Sequence, residues 1–395
     1  MSKRYLADLH IHVGSAGGKV VKVTASQEMT MKNIMDYAHK IKGLQIVGIV
    51  DCASPAVISE LEEFIKQGKL AYQNGGGFIY EGKLLLFPGS EIELSIYGGK
   101  AHFIAYFPDL KTTKTFSNWV NHYTTNNTLS TQLVKTNISK IFEIVFSLKG
   151  VLIPAHAFTP FKSLLGTCID DLSAFLKKHN LDFNAIELGL SADNYLADAV
   201  PQVQNYCYLS NSDAHSLPKI AREYNSFSMQ NPSFICFKKL LRNASKKNIV
   251  NFGLPPQMGK YYRSYCPICD HTFLYEPAPV NSCLLCGHSK VVKGVLDRIT
   301  EISDQSNAYF QHHPQCKYKN YYQRVLLEDV PGIGVKTYHD LLEKIGKELD
   351  VVHKADRKTL AQIVSKKAAV CIDKMRNGEL EFIPGGGGYY GKIKS

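Results

Sequence analysis

The chain has 395 residues, 45% of them hydrophobic, and carries 46 Lys and Arg against 35 Asp and Glu, a formal net charge of +11. That length can bury a core in two or three domains, and the basic excess favours a polyanionic partner, although a charge count alone is also compatible with ordinary solubility. No apolar run reaches the roughly eighteen residues of a membrane span, and no signal-like series opens the chain, which points to a cytoplasmic protein.

The first strand-like run leads into Asp8-Leu9-His10-Ile11-His12. Side chains alternate along a strand, so Asp8, His10 and His12 share a side and can meet one cation. Two solvated histidines on an edge strand would be the plainer reading, but further candidate ligands follow. Asp51-Cys52 comes after the strand-like run Gln45 to Val50, and Glu91, in Gly89-Ser90-Glu91, after Lys83 to Phe87. His102 opens the run to Phe107, His156 closes Val151-Leu-Ile-Pro-Ala-His after the run Gly150 to Pro154, and Asp213-Ala-His215 follows Tyr206 to Ser210. Helical stretches over Met31–Ile41, Pro55–Gln67, Ile138–Leu148 and Cys168–His179 separate these runs. Such alternation predicts a parallel sheet with ligands gathered at strand ends. Glu187 and Asp193, in Glu187-Leu-Gly-Leu-Ser-Ala-Asp193 after the run from Ala185, shape the rim of such a site more readily than they act as acid and base.

The set Asp8-x-His10-x-His12, Gly89-x-Glu91, His102, His156 and Asp213-x-His215 resembles the polymerase and histidinol phosphatase (PHP) superfamily. The resemblance implies an α/β fold, a distorted seven-stranded β/α barrel of PHP type holding two or three divalent metals (Zn, Mn or Mg). It assigns His10, His12, Glu91 and Asp213 to one metal, and Glu91, His102 and His156 to a second. Glu91 bridges them, and Asp213, Glu91 and His156 take the catalytic roles. A third site would draw on Asp51 and His215, with Cys52 where many relatives have His.

Gly253-Leu-Pro255-Pro256 interrupts the pattern, and the tyrosine-rich basic stretch Lys260-Tyr-Tyr-Arg263 follows. Cys266-Pro-Ile-Cys269 and Cys283-Leu-Leu-Cys286 are two knuckles separated by thirteen residues. Two C-x-x-C turns can each present both thiolates to one tetrahedral structural zinc. A redox pair is the weaker alternative, because neither follows a thioredoxin-like strand. The other cysteines, Cys52, Cys168, Cys207, Cys236, Cys316 and Cys371, show no pairing logic and read as free thiols.

Val330-Pro-Gly332-Ile333-Gly334-Val-Lys336 lies between helical segments and reads as the hairpin of a helix-hairpin-helix element, whose glycines and free amides approach a DNA phosphate. Leu360 to Glu379 resembles the second half of a degenerate repeat. Pro384-Gly-Gly-Gly-Gly388-Tyr-Tyr-Gly391 is either a disordered tail or a segment that docks with substrate.

These boundaries give a metal-dependent barrel over 1–255, a zinc ribbon over 256–300, a helix-hairpin-helix region over 301–382 and a Gly-rich tail over 383–395. That order, with Asp51-Cys52-Ala-Ser-Pro55, Pro154-Ala-His156-Ala-Phe158-Thr-Pro160 and the segment 187–193, resembles the endonuclease Q family of DNA repair endonucleases. The resemblance implies hydrolysis 5′ of deaminated bases (uracil, hypoxanthine, xanthine) or abasic sites in double- or single-stranded DNA, leaving 3′-hydroxyl and 5′-phosphate ends. A sliding clamp stands as a further candidate partner. Phe158, Thr159, Ser191 and Asp193 are the candidate base pocket. The alternative is a phosphoesterase acting on small monoesters, which would need neither ribbon nor hairpins.

Overall fold

The computed structural model describes residues 2–242, 248–305, 309–310 and 317–394; Cys316 lies outside them. Eleven strands form one mixed sheet. Its members are β1 (Lys3–Ile11), β2 (Ile46–Ile49), β3 (Leu70–Tyr72), β4 (Phe78–Tyr80), β5 (Leu84–Ile96), β6 (Gly99–Tyr106) and β7 (Val151–Pro154). After β8 (Ala185–Glu187) and β9 (Cys207–Leu209), which form a sheet of their own, come β10 (Tyr224–Met229), β11 (Ile249–Gly253), β12 (Lys317–Tyr318) and β13 (Tyr321–Gln323).

The last five residues of β1 are all buried, because it is a central strand paired antiparallel with β10 and parallel with β2. The first half of β5 pairs parallel with β2, and its second half antiparallel with β6. The sheet is therefore mixed, where alternating strands and helices led us to expect a parallel one. A hairpin as short as the turn between β5 and β6 can only join antiparallel strands. The described strands do not close into one seven-stranded ladder. Beyond β7 the ring continues through single bonds: Ala157 N–H to the Glu187 carbonyl (2.8 Å), then His12 N–H to the Ala214 carbonyl (3.0 Å) and Ala214 N–H to the His10 carbonyl (3.1 Å).

Helices cover the sheet where the apolar period predicts them, over Met31–Asp36, Pro55–Lys66, Ile138–Ser147 and Leu172–His179. Leu110–Asn121 is an additional one, started by Asp109, whose carboxylate accepts from Thr112 N–H at 2.8 Å. The carboxy-terminal third is tied to this body. β13 extends the sheet from β11, and Val295, Leu296 and Ile299 join the core that contains Phe158 and Leu188. Leu327, Ile333, Leu341, Val351, Leu360 and Ile372 form a further core with Leu254, Met258 and Ile393. Before the 330–334 turn stands a short 3₁₀ turn, Leu327–Asp329, rather than the expected helix; Val335–Ile345 follows it.

The body and this helical region share a buried ion pair. Lys42 Nζ lies 2.6 Å from Glu348 Oε2, with side-chain exposures of 1% and 3%. Tyr338 Oη (2.6 Å) and Leu327 N–H (3.2 Å) also donate to Glu348. Removing one member of a buried pair strands the other charge, at about 3–5 kcal/mol. Glu348→Ala should lower stability by about that much in urea unfolding. Glu348→Gln combined with Lys42→Met, which removes both charges and keeps the acceptor, should recover most of it. Equal losses in the two variants would show that the charge is not what matters.

Candidate metal centre

β1 brings His10 and His12 together with their Nε2 atoms 3.2 Å apart. Asp213 Oδ1 lies 3.5 Å from the first and 3.3 Å from the second. Asp213 follows β9 with φ +48°, in the left-handed region that a non-glycine residue adopts only where its surroundings hold it there. Glu91, on β5, places Oε1 2.9 Å from His102 Nδ1 and 3.4 Å from His156 Nε2. The same carboxylate approaches His10 Nε2 at 3.4 Å and His12 Nε2 at 3.5 Å. Two groups of three ligand atoms, His10/His12/Asp213 and Glu91/His102/His156, each lie within 4.8 Å, and Glu91 stands between them. Imidazole nitrogens and carboxylates clustered this closely fit divalent metals.

Both β1 histidines are oriented from behind. His10 Nδ1 meets the Glu187 carboxylate at 3.0 Å and 3.1 Å, and Glu187 also accepts from His156 N–H (2.9 Å) and Asn211 Nδ2 (2.7 Å). His12 Nδ1 meets Asp51 Oδ2 at 3.0 Å, and Asp51 accepts from Val13 N–H at 2.6 Å. A carboxylate on one ring nitrogen fixes the tautomer and aims the other at a metal. Glu187 thus backs His10 while also lining the cavity. Burial would raise the Glu91 carboxyl, yet the charges of His102 and Lys22 hold it well below the usual carboxylate range.

Several candidates sit elsewhere than expected. Asp8 lies deeper along β1, where its carboxylate accepts from Ser212 N–H (3.1 Å) and Ala221 N–H (2.9 Å) and so pins the loop that carries Asp213. Burial raises the Asp8 pKa to about 6. Asp51 is committed to His12, and Cys52 packs in an apolar cluster with Ile49 and Val57, its thiol pushed by burial to about 12. His215 lies beside His12, with ring centroids 4.5 Å apart and the planes tilted by 50°. Among the described residues, Asp51 and His215 do not form a third ligand group. Phe158 belongs to the main core, and Asp193 caps the short helix Asn194–Asp198 by accepting from Leu196 N–H.

The clusters form the floor of a cavity of about 630 Å³ that Thr159 and Ser191 also line. Its other walls hold Lys22, Thr131, Lys162 and Arg222, which belong to no sequence motif, besides Lys260 and Tyr261 of the basic aromatic stretch and Tyr390 of the glycine-tyrosine segment. Lys22 Nζ reaches Glu91 Oε2 at 3.0 Å and Thr131 Oγ1 at 2.6 Å.

Away from the cavity, Cys266, Cys269, Cys283 and Cys286 bring their sulfurs within 4.8 Å of one another. The Cys266–Cys286 and Cys269–Cys283 separations are 3.8 Å and 3.5 Å. A disulfide needs about 2.05 Å, whereas a zinc tetrahedron with bonds of about 2.3 Å has edges near 3.8 Å. Among the described residues, Phe273, Val280 and the partly buried Val291 back these thiols, an apolar core too small to hold a fold unaided.

No protein-family model matches the chain. In sequence it is 40% identical over 399 residues to the uncharacterized protein YqxK of Bacillus subtilis (strain 168), across 99% of this chain and 100% of that protein. It is 34% identical over 257 residues to the uncharacterized protein MJ0043 of Methanocaldococcus jannaschii, across 60% of this chain and 31% of that one. In structure it is similar to the novel lesion-specific endonuclease PfuEndoQ from Pyrococcus furiosus, with a TM-score of 0.81, 29% identity, and coverage of 99% of this chain and 95% of that one. It is also similar to endonuclease Q in complex with a 27-mer duplex carrying an abasic lesion at the active site, with a TM-score of 0.80, 28% identity, and coverage of 99% and 96%.

Glu187→Gln should keep the fold and weaken metal binding about 10- to 100-fold, since the amide cannot impose one tautomer on His10. Equilibrium dialysis with metal analysis checks this; unchanged affinity would remove Glu187 from the site. A Cys283→Ser, Cys286→Ser double variant should lose about one zinc per chain and loosen the ribbon. Unchanged zinc content would contradict that assignment.

Proposed function

The chain belongs to the endonuclease Q family, and we propose that it is a metal-dependent DNA repair endonuclease that cuts 5′ of deaminated bases and abasic sites. The observation that carries this reading is the pair of histidine–carboxylate clusters sharing Glu91 at the floor of the cavity. It occurs in a chain similar over 99% of its length to a lesion-specific endonuclease.

In this proposal His10, His12 and Asp213 hold one divalent metal and Glu91, His102 and His156 a second, in a PHP-type barrel, with zinc in the four-cysteine ribbon. Such metals, when bound, supply a hydroxide at neutral pH and neutralise charge on the phosphoryl group. The chain's own residues do the rest. Glu187 and Asp51 fix the imidazoles, and Lys22, Lys162, Arg222 and Lys260 give the cavity a positive lining that attracts a phosphodiester. The 330–336 turn supplies grip in the manner of a helix-hairpin-helix. Gly332 (φ +91°) and Gly334 are exposed ahead of the helix Val335–Ile345, so the amides at its start are open to a phosphate. Contacts of that kind neither read sequence nor distinguish damage.

Selectivity would come from extruding the nucleotide into the cavity, whose Thr159 and Ser191 side lies next to the metal centre. Deamination replaces an amino group by a carbonyl in both uracil and hypoxanthine. One donor aimed at that oxygen accepts both, whereas cytosine or adenine would oppose donor to donor. Each unpaired buried group costs about 1–3 kcal/mol, roughly 5- to 150-fold in rate.

Uracil, hypoxanthine, thymine and cytosine placed in equally mispaired duplexes separate the carbonyl from weak pairing. Uracil and hypoxanthine should be cut at least about tenfold faster than cytosine, and Asp213→Ala or Glu91→Ala should abolish cutting with duplex affinity retained. Cytosine cut as fast as uracil would show that the enzyme senses weak pairing alone. Residual cutting within tenfold by either variant would remove these carboxylates from the reaction.

A further inference from the structure

The glycine run near the carboxy terminus is an ordered hairpin. Phe382–Ile383 pairs antiparallel with Lys392–Ile393, and Gly386 bridges Tyr389 between them. The hairpin lies against residues 257–260. Gly385 N–H donates to the Gln257 carbonyl (2.8 Å), Gly391 N–H to Met258 (2.8 Å) and Gly388 N–H to Lys260 (3.1 Å). Side chains are excluded there by contact: a Cβ on Gly386 would fall 2.3 Å from Thr272 Cγ2 of the ribbon, and one on Gly391 2.5 Å from the Ile383 carbonyl oxygen. Gly386 is thus required by close packing on the ribbon and Gly391 by packing on Ile383 and Met258, a signature of a built contact rather than a loose tail.

This packing delivers Tyr390 to the edge of the catalytic cavity. Its hydroxyl lies 3.1 Å from Arg222 Nη1, and the guanidinium carbon stands 5.6 Å from its ring centroid. Arg222 reaches on to the metal centre. Its Nε donates to the Ser212 carbonyl at 2.6 Å and its Nη2 to the Asp213 carbonyl at 3.3 Å. The two carbonyls flank the peptide that sets Asp213 at φ +48°. A backbone held in that region needs surrounding contacts to over-determine it, and a planar guanidinium with several donors suits two adjacent carbonyls. Arg222 and Tyr390 also form the shared wall between the catalytic cavity and a second one of about 470 Å³ that Leu254, Met258 and Ile393 line.

We propose that the carboxy-terminal hairpin is a working part of the metal centre: Tyr390 is a positioning residue that holds Arg222, which fixes the backbone that presents Asp213. The inference rests on the reading of His10, His12 and Asp213 as metal ligands and of the chain as a lesion-cutting endonuclease. It adds a residue that touches neither metal nor the reacting bond.

The test compares Tyr390→Phe, Arg222→Lys and their double variant in the full-length protein. Manganese affinity is measured without DNA, and single-turnover cleavage and duplex affinity are measured separately on hypoxanthine-containing DNA. Loss of the tyrosine hydroxyl should weaken manganese binding and slow cleavage by about fivefold, the scale of one hydrogen bond. Duplex affinity should stay within about twofold. Arg222→Lys should cost more, and the double variant no more than Arg222→Lys alone, because both changes cut one chain of contacts. The proposal is overturned if Tyr390→Phe matches the parent while Tyr390→Ala weakens duplex binding, the pattern of a ring that stacks on DNA. It is equally overturned if the two losses multiply. A parent protein that binds manganese but cuts no damaged DNA would count against the nuclease reading, while the manganese comparison would still decide the role of Tyr390.

Discussion

A carboxylate as buried as Glu91, 2% exposed, persists as an ion only where cations converge on it. His10, His12, His102, His156 and Lys22 all lie within 3.5 Å of its two oxygens. The surrounding structure follows from that requirement. Three of these histidines carry a second carboxylate on the far ring nitrogen: Glu187 behind His10, Asp51 behind His12 and Glu93 behind His102. With the histidines neutral, as metal ligands must be, the carboxylates Glu91, Glu93, Glu187, Asp51 and Asp213 outnumber the lysines Lys22, Lys100 and Lys162 that pair with them, an excess that fits divalent metals. The same arrangement explains why the clusters lie where β1, β5 and the loop after β9 meet, since only fixed backbone holds so many charged groups at such spacings.

The rest of the chain is built onto this point. The sheet continues from β11 into β13, so the helical region is an extension of the catalytic body and not an appendage on a free linker. The Lys42–Glu348 pair locks that extension from the other side. The ribbon, with too little apolar core to stand without metal, packs beside the hairpin that carries Tyr390. Helical region, ribbon and cavity wall thus share contacts through the carboxy-terminal hairpin.

Much of the centre could be read directly from the amino-acid order. Histidines and carboxylates at strand ends leave a local pattern, and so do paired C-x-x-C knuckles. What could not be read has a common physical cause. Glu187 and Asp51 are chemically the same as ligands, and only the direction of their carboxylates, set by Asn211 and by Val13 N–H, makes them supports instead. Asp8 follows the spacing of His10 and His12, but its oxygens are claimed by amides more than two hundred residues away. Lys22 and Arg222 belong to no motif, because tertiary packing alone brings them to the cavity; Tyr390 is legible only as part of a glycine-tyrosine segment, without its partner. The antiparallel turn from β5 to β6 was hidden for a different reason: the run from Lys83 was read as ending at Phe87, whereas the strand continues to Ile96.

The most direct test of the central claim uses an end-labelled duplex with one hypoxanthine at a defined position, incubated with metal-loaded protein. Both product ends are then mapped. The account requires a single cut at the phosphodiester 5′ of the hypoxanthine, with 3′-hydroxyl and 5′-phosphate ends, lost on chelation and absent from the undamaged duplex. Cutting that is independent of the lesion, or survives chelation, would contradict it.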